Sequence, residues 1–231
     1  MKILVVIPAY NEAQNIVSVA EEVKRVVPQY DFAVVNNGSR DETAKLCREH
    51  GYPLLDLSAN LGLTGAVQTG MRYALENGYD AVVQIDGDGQ HDPRFVPEMA
   101  ALMEQKGLDL VIGSRFLEGK RTKSMRHFGN GLLNRAIKLT TGKRITDATS
   151  GMRLYGKRIL RTMATDRDFS PEPDTVAYLI RRGAKVEEYP VVMRERAAGE
   201  SYLSPWRSIR YMGHMLACIF LIQWFRKRRN L

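Results

Sequence analysis

The chain reads as an α/β protein built on one mostly parallel sheet flanked by helices. Short apolar runs of strand length alternate with segments whose apolar residues recur at helical spacing. The runs break off, one after another, at clusters of Asn, Asp, Gly and Ser. No linker-like or low-complexity stretch divides residues 1–203. Strict alternation of strand and helix requires right-handed crossovers, which place helices on both faces of a parallel sheet.

Residues 2–7 form the first strand. Residues 11–26 follow as a helix, with Ile16, Val19, Ala20, Val23 and Val26 at helical spacing. A strand at 32–35, a helix at 42–50 and a short strand at 53–57 continue the pattern. The next helix, 65–77, runs up to Gly78 as its C-terminal stop. A strand at 81–85, a helix at 94–106 and a strand at 108–113 complete the first half. After Ser114 a basic loop leads to a helix around 130–141 and a short strand near 152–155. Helices around 157–163 and 171–182 and a strand at 185–193 belong to the same domain.

Composition narrows the class. Of 231 residues, 44% are hydrophobic and 26% charged, enough to build a sizeable core. Cys47 and Cys218 lie far apart and in no ligand spacing, which suggests neither a disulfide framework nor a zinc site and points to a reducing compartment. The N-terminal apolar run is too short for a signal peptide, so a cytosolic chain is expected. The net charge of +8 is uneven: residues 119–144 hold eight Lys/Arg and no acid, and six more follow Trp206. Such a surface suits phosphorylated substrates or an anionic membrane, and the apolar run beside the C-terminal block favours these over nucleic acid. No dinucleotide Gly-x-Gly-x-x-Gly, phosphate-binding Gly-Lys-Ser/Thr or Gly-x-Ser-x-Gly elbow is present.

The most informative stretch is Gln84-Ile85-Asp86-Gly87-Asp88-Gly89-Gln90-His91-Asp92-Pro93, where the fourth strand stops. Two aspartates separated by one glycine can share a hard cation, and the edge of the sheet where strands end is where α/β proteins bind ligands. A divalent metal holding a diphosphate is the natural hypothesis. The alternative is an Asp/Gly-rich turn ahead of a helix capped by Asp92 and Pro93.

Motifs at four strand ends and two later segments carry a resemblance: Ile7 to Glu12, Asn36 to Thr43, Asp86 to His91, Gly113-Ser114-Arg115, Asp147 to Arg153, and Arg194 to Ser201. Together they resemble family 2 glycosyltransferases of the GT-A fold, and more narrowly the dolichol- and polyprenyl-phosphate sugar transferases. The match spans roughly residues 1–203, taken as the catalytic domain, with 204–231 as a membrane-associated or partner-docking tail. The resemblance implies nucleotide contacts from Pro8, Tyr10, Asn11, Glu12, Asn37, Gly38, Ser39, Asp86, Gly87 and Asp88. It implies a Mg2+ or Mn2+ site at Asp86, Asp88 and Gln90, whose alternate positions face one side if the segment is extended. Asp88, Asp147 and Arg115 are the candidate catalytic residues. Arg115, Arg126, Arg153, Arg196 and Ser201 are the candidate acceptor-phosphate residues, since arginine forks match phosphate oxygens. Arg153 could instead pair with Asp147, His91 could support the metal turn rather than react, and Asn11 could cap the first helix with Glu12 in its first turn. Asn36-Asn37 stands where the family commonly has two aspartates; an amide oxygen can still accept a base N–H, without charge assistance.

Relatives that act on hydroxyls place an acid or acidic pair before a later helix as general base. Here only Asp147 is available. A phosphate acceptor is already ionised and needs no base, so the expected reaction is inverting transfer from a nucleotide-diphosphate sugar to polyprenyl phosphate. The lipid-linked sugar would then serve cell-envelope glycan modification. A glycan or protein hydroxyl acceptor, or a non-catalytic nucleotide-sugar-binding subunit, are the alternatives. A UDP-sugar is taken ahead of GDP-mannose on general grounds. The run 211–225 would be about 22 Å long as a helix, short of the roughly 30 Å of a bilayer core. With basic residues 226–229 behind it, it reads as an interfacial helix at the cytoplasmic membrane face, a core helix, or a docking helix for a small membrane subunit. A homo-oligomer is also open.

Overall fold

A computed structural model describes residues 1–117, 125–166, 169–194 and 205–222. Its centre is β1 (Ile3–Ala9), buried at all seven positions. Such a continuous apolar run is what a strand covered on both faces requires. Around it lies a seven-stranded sheet in the order β3-β2-β1-β4-β6-β5-β7. The other strands are β2 (Asp31–Asn37), β3 (Leu54–Leu57), β4 (Ala81–Gln84), β5 (Leu110–Ser114), β6 (Arg153–Gly156) and β7 (Val186–Pro190). All pairings are parallel except those of β6, which runs antiparallel to both β4 and β5.

Alternating side chains feed two cores. Ile3, Val5 and Ile7 face one side with α1 (Ile16–Val26), α2 (Thr43–Glu49) and α4 (Val96–Lys106). Leu4 and Val6 face the other with α3 (Gly62–Glu76), α5 (Met125–Thr141), α6 (Lys157–Thr165) and α7 (Pro173–Arg181). On α1 the buried residues Ile16, Val19, Ala20 and Val23 are the ones the sequence spacing picks out.

The structure departs from the sequence expectations in three places that matter. The first helix begins at Ile16, not at residue 11, because 11–15 form a loop; Asn11 adopts a left-handed φ of 56° and Asn15 stands at the cap position. Asn11 is therefore no helix cap. The eighth helix, α8 (Pro205–Ala217), continues as a π turn, Cys218–Ile222, and packs against α5 and α7. Met215 and Ile219 lie in the same core as Leu133 and Val176, and the Tyr211 hydroxyl donates to the Glu172 carboxylate. The described part of the tail thus packs into the core of the domain, as the core-helix reading expects. Phe220 and Leu221 are exposed. No described helix is long and apolar enough to cross a membrane. Third, the reversal of β6 is invisible to an alternation argument, and it brings the loop before β6 to the edge where β4 and β5 end.

Candidate active site

The carboxyl ends of β1, β2 and β3 enclose a cleft of about 440 Å³. Its walls are Tyr10 just after β1, Asn36 on β2 with Gly38, Ser39 and Arg40 just after it, and residues 56–60 at the end of β3 and beyond it. Gly38 is required: its φ is +67°, and a Cβ there would fall 2.5 Å from the Ala59 carbonyl carbon. The loops after β1 and β2 are laced together. The Asn11 amide donates to Ser39 Oγ (2.9 Å), the Arg40 amide to Asn11 Oδ1 (2.8 Å), and the Glu12 amide to Thr43 Oγ1 (2.9 Å). The Glu12 carboxylate accepts from Asn15 Nδ2. Asn11 and Glu12 therefore shape the cleft from behind, while Tyr10 and Ser39 line it.

Of the two asparagines, Asn37 is turned inward. Its amide donates to Asn60 Oδ1 and the Gly62 carbonyl, and its oxygen accepts the Leu61 amide. The cleft wall belongs instead to Asn36, whose Nδ2 donates to Asp56 Oδ1 at 2.6 Å. Arg48 holds the other oxygen of Asp56. Sequence reasoning passed over Asp56 because it stands inside a strand, outside any motif.

Past β4 the acidic segment is a turn, not an extended strand, with Gly89 at φ +77°. The alternation argument for Asp86, Asp88 and Gln90 thus does not apply. The turn itself sets their positions. Gln84 Nε2 donates to Asp86 Oδ1 (2.8 Å), and the Gln90 amide donates to Asp88 Oδ1 (3.1 Å). Gln90 Nε2 donates to the Arg194 carbonyl, tying its side chain to the segment after β7. His91 accepts the Asp86 amide on Nδ1 (3.0 Å), so its proton sits on Nε2, 3.8 Å from Asp86 Oδ2. His91 is buried and supports the turn. Two glycines keep Asp86 approachable. A Cβ on Gly151 would lie 2.8 Å from Asp86 Oδ2, and one on Gly87 3.1 Å from the Pro8 carbonyl, which accepts the Gly87 amide.

Among the described residues no three His, Cys, Asp or Glu side chains stand together as a metal cage. Two neighbouring carboxylates at a glycine-lined turn fit a different donor set, in which a cation is held by Asp86, Asp88, diphosphate oxygens and water, the usual habit of Mg2+ at phosphate sites. The turn is anchored below. Asp92 accepts from the Arg94 amide and side chain, and Arg194 bridges it (2.8 Å) to Glu22 (2.7 Å). Burial opposes ionisation of Asp92, but the hydrogen bonds from Arg94 and Arg194 outweigh it and hold its pKa to about 2.

Arg115, just after β5, is gripped in a fork by Asp147: Nε to Oδ2 at 2.6 Å, Nη2 to Oδ1 at 2.7 Å, with the Arg115 amide on Oδ2 as well. Asp147 is fully buried, while Arg115 is 31% exposed. Asn130 Nδ2 and Thr149 Oγ1 also donate to Asp147 Oδ1. Asp147 thus aims Arg115, and both of its own oxygens are engaged in doing so. Glu188 on β7 accepts the amides of Thr146 and Asp147 and fixes their loop; burial raises its pKa against those bonds.

Arg153 is a correction. It is 1% exposed, and its fork goes to the carbonyls of Ser150 (2.9 Å) and Ala148 (2.7 Å), not to a substrate edge or to Asp147. It braces the loop before β6. Arg126 lies on α5, and its side chain is outside the description. Arg196 and Ser201 lie outside the described residues.

Residues 4–164 match the glycosyl transferase family 2 model. The chain is 31% identical to an undecaprenyl-phosphate mannosyltransferase of Micrococcus luteus, over 88% of each chain. It is 30% identical to a polyprenol monophosphomannose synthase of Mycolicibacterium smegmatis, over 87% of this chain and 80% of that one. In fold it is similar to glucosyl-3-phosphoglycerate synthase of Mycobacterium tuberculosis, solved with Mn2+, UDP and phosphoglyceric acid (TM-score 0.69, 20% identity, 96% of this chain and 78% of that one). It is also similar to a mannosyltransferase of Pyrobaculum calidifontis, solved with GDP-Man and Mn2+ (TM-score 0.66, 18% identity, 100% and 66%). The chain belongs to glycosyl transferase family 2 and has a GT-A-like fold.

Proposed function

We propose that the chain moves a sugar, with inversion, from a nucleotide-diphosphate sugar to a polyprenyl phosphate at the cytoplasmic face of the membrane. The observation that carries this reading is the state of Asp147. Both of its oxygens are engaged and the residue is buried, so the loop before β6 offers a fixed cation, Arg115, and no general base. A hydroxyl acceptor needs a base; a phosphate monoester, with its second pKa near 6, is already charged. Arg115 then orients the phosphate for in-line attack at the anomeric carbon. The relatives named for undecaprenyl and polyprenol phosphates support the same acceptor class.

On the donor side, Tyr10, Asn36 and Ser39 would receive the nucleoside, and the turn at 86–88 would face the diphosphate. Asp86 and Asp88 would hold Mg2+ or Mn2+, which when bound offsets the charge left on the diphosphate as the sugar departs. Asn37 is spent inside its loop, so the departure from the family's paired aspartates does not argue for a non-catalytic binder. Exposed Phe220 and Leu221 and the basic C-terminus support peripheral membrane contact. The test is a set of radiolabelled nucleotide sugars incubated with polyprenyl phosphate, polyprenol and Mn2+. Label entering the organic phase with the phosphate but not the alcohol is expected. Label only on polyprenol or on a soluble glycan would refute the acceptor assignment.

A further inference from the structure

Arg153 is 1% exposed, yet among the described residues no carboxylate pairs with it directly; its three contacts go to backbone carbonyls. A charge taken out of water needs a counter-charge nearby. The third contact shows where that charge stands. Nη1 approaches the carbonyl of Glu172 at 3.5 Å, long for a hydrogen bond, so most of the tie between these residues is electrostatic. Glu172 sits at the cap position of α7, and its carboxylate accepts the hydroxyl of Tyr211 on α8. Two phenols report that the charges share one neighbourhood. Burial and then the Glu172 charge push the Tyr211 phenol up, while Arg153 opposes them, so the hydroxyl stays protonated and donates. Burial raises the Tyr155 phenol, Arg153 lowers it, and Asp86 and Glu172 raise it again. The tail helix, the buried guanidinium and the acidic turn are therefore joined through one polar cluster beneath the site.

We propose that Tyr211 is a positioning residue for the transfer: from the tail helix it fixes the Glu172 carboxylate, which holds Arg153, which seats the loop before β6; the assignment rests on the transferase reading above. The Arg153 fork grips the carbonyls of Ala148 and Ser150, on either side of Thr149. Thr149 Oγ1 accepts Arg115 Nη2 at 3.0 Å, and Gly151 lies against Asp86. A guanidinium set back by a few tenths of an ångström thus moves both the cation for the acceptor and the wall beside the Asp86 carboxylate. Without the Tyr211 hydroxyl, the half-buried Glu172 carboxylate loses a donor and turns toward water, and the buried charge of Arg153 loses its compensation. The described tail is then part of the catalytic apparatus, although it lies on the far side of α7 from the loop it seats.

The test is Tyr211→Phe, which keeps the ring and removes the hydroxyl. Steady-state transfer to polyprenyl phosphate and calorimetric binding of UDP and GDP over a Mn2+ series are measured in the wild-type and Arg153→Met backgrounds. In the wild-type background, KM for donor and acceptor and the Mn2+ needed for half-maximal nucleotide binding should each rise about fivefold, the low end of coupling between distinct sites, with kcat changed less than about twofold. In the Arg153→Met background the same substitution should change each by less than about twofold, the limit for independent sites. Where Arg153→Met does not fold, Glu172→Ala takes its place with the same expectation. A lowered melting temperature with unaltered KM values and Mn2+ dependence gives Tyr211 a purely structural role and overturns the proposal. An equal effect in both backgrounds, showing that the hydroxyl does not act through Arg153, overturns it too. If the wild type transfers no sugar, the transferase reading falls and the Mn2+ series still decides the coupling; if no nucleotide binds either, both readings fall.

Discussion

The Arg115–Asp147 fork makes a quantitative prediction. Asp147→Asn keeps the shape of the side chain but removes its charge and sets an NH2 group against the Arg115 donors. Removing one partner of a buried pair costs about 3–5 kcal/mol. Arg115 is 31% exposed, which lets water reach the orphaned guanidinium and places the cost near the lower end, about 3 kcal/mol. Arg115→Met should cost less, about 2 kcal/mol, because Asp147 keeps the backbone amide of residue 115, Asn130 and Thr149 as donors. The double variant should therefore show a coupling of about 2 kcal/mol. Urea unfolding of the four proteins measures it, provided the slope with denaturant is unchanged. The kinetic consequence is separable: in Asp147→Asn, kcat/KM for the lipid phosphate should fall about a hundredfold, the cost of a misplaced binding group, with donor KM little changed. A coupling below about 0.5 kcal/mol, the limit of additivity for independent sites, would refute the view that Asp147 holds Arg115 in place.

Three further outcomes are expected. Asp88→Asn should lower turnover by at least about a hundredfold at saturating Mn2+, and Gly151→Ala, whose new methyl would press on Asp86 Oδ2, should raise the Mn2+ concentration needed for half-maximal nucleotide binding while the melting temperature moves by only a few degrees. The Asp92 cluster should support the fold above pH about 4 and lose that support as pH falls toward 2, since the folded pKa lies below the unfolded one; Asp92→Asn should flatten this acid limb, amounting to about 2 kcal/mol at most with Arg94 largely solvated. Arg153→Met, read by steady-state kinetics, should raise KM for both donor and acceptor, because the carbonyls it holds belong to the loop that touches both sides of the site.

The strands and helices of the first half were legible because both faces of their sheet are covered, so the apolar runs are uninterrupted and end abruptly at polar clusters. The placement of Asp86, Asp88 and Arg115 at the sheet edge was legible for the same reason: polar residues directly after a buried strand have nowhere to go but the edge. What the sequence did not show are choices made by partners distant in the chain. Asn37 and Asn36 are adjacent and chemically identical, yet Asn60, Gly62 and Leu61 claim one and Asp56 claims the other. Arg153 has the composition of a phosphate ligand, but its place on a buried strand between β4 and β5 directs its fork to carbonyls. The tail is ambiguous for a related reason. An apolar run ending in basic residues looks the same whether its apolar face meets lipid or α5 and α7, and Met215 and Ile219 meet the protein.

One reversed strand explains how the two halves of the site come to act together. Were β6 parallel to its neighbours, the loop preceding it would lie at the far end of the sheet, about 13 Å away for a four-residue strand. Running antiparallel, with Arg153 opposite both Gln84 and Ile112, β6 delivers the preceding loop to the edge where β4 and β5 end. That loop places Gly151 against Asp86 and His91 at one end and Asp147 against Arg115 at the other. The carboxylate that would face the donor diphosphate and the cation that would face the acceptor phosphate are thus fixed by a single short segment, clamped from below by Arg153 and from the side by Glu188. Displacement of that segment cannot disturb one substrate alone, which is why a brace with no substrate contact of its own is expected to affect both.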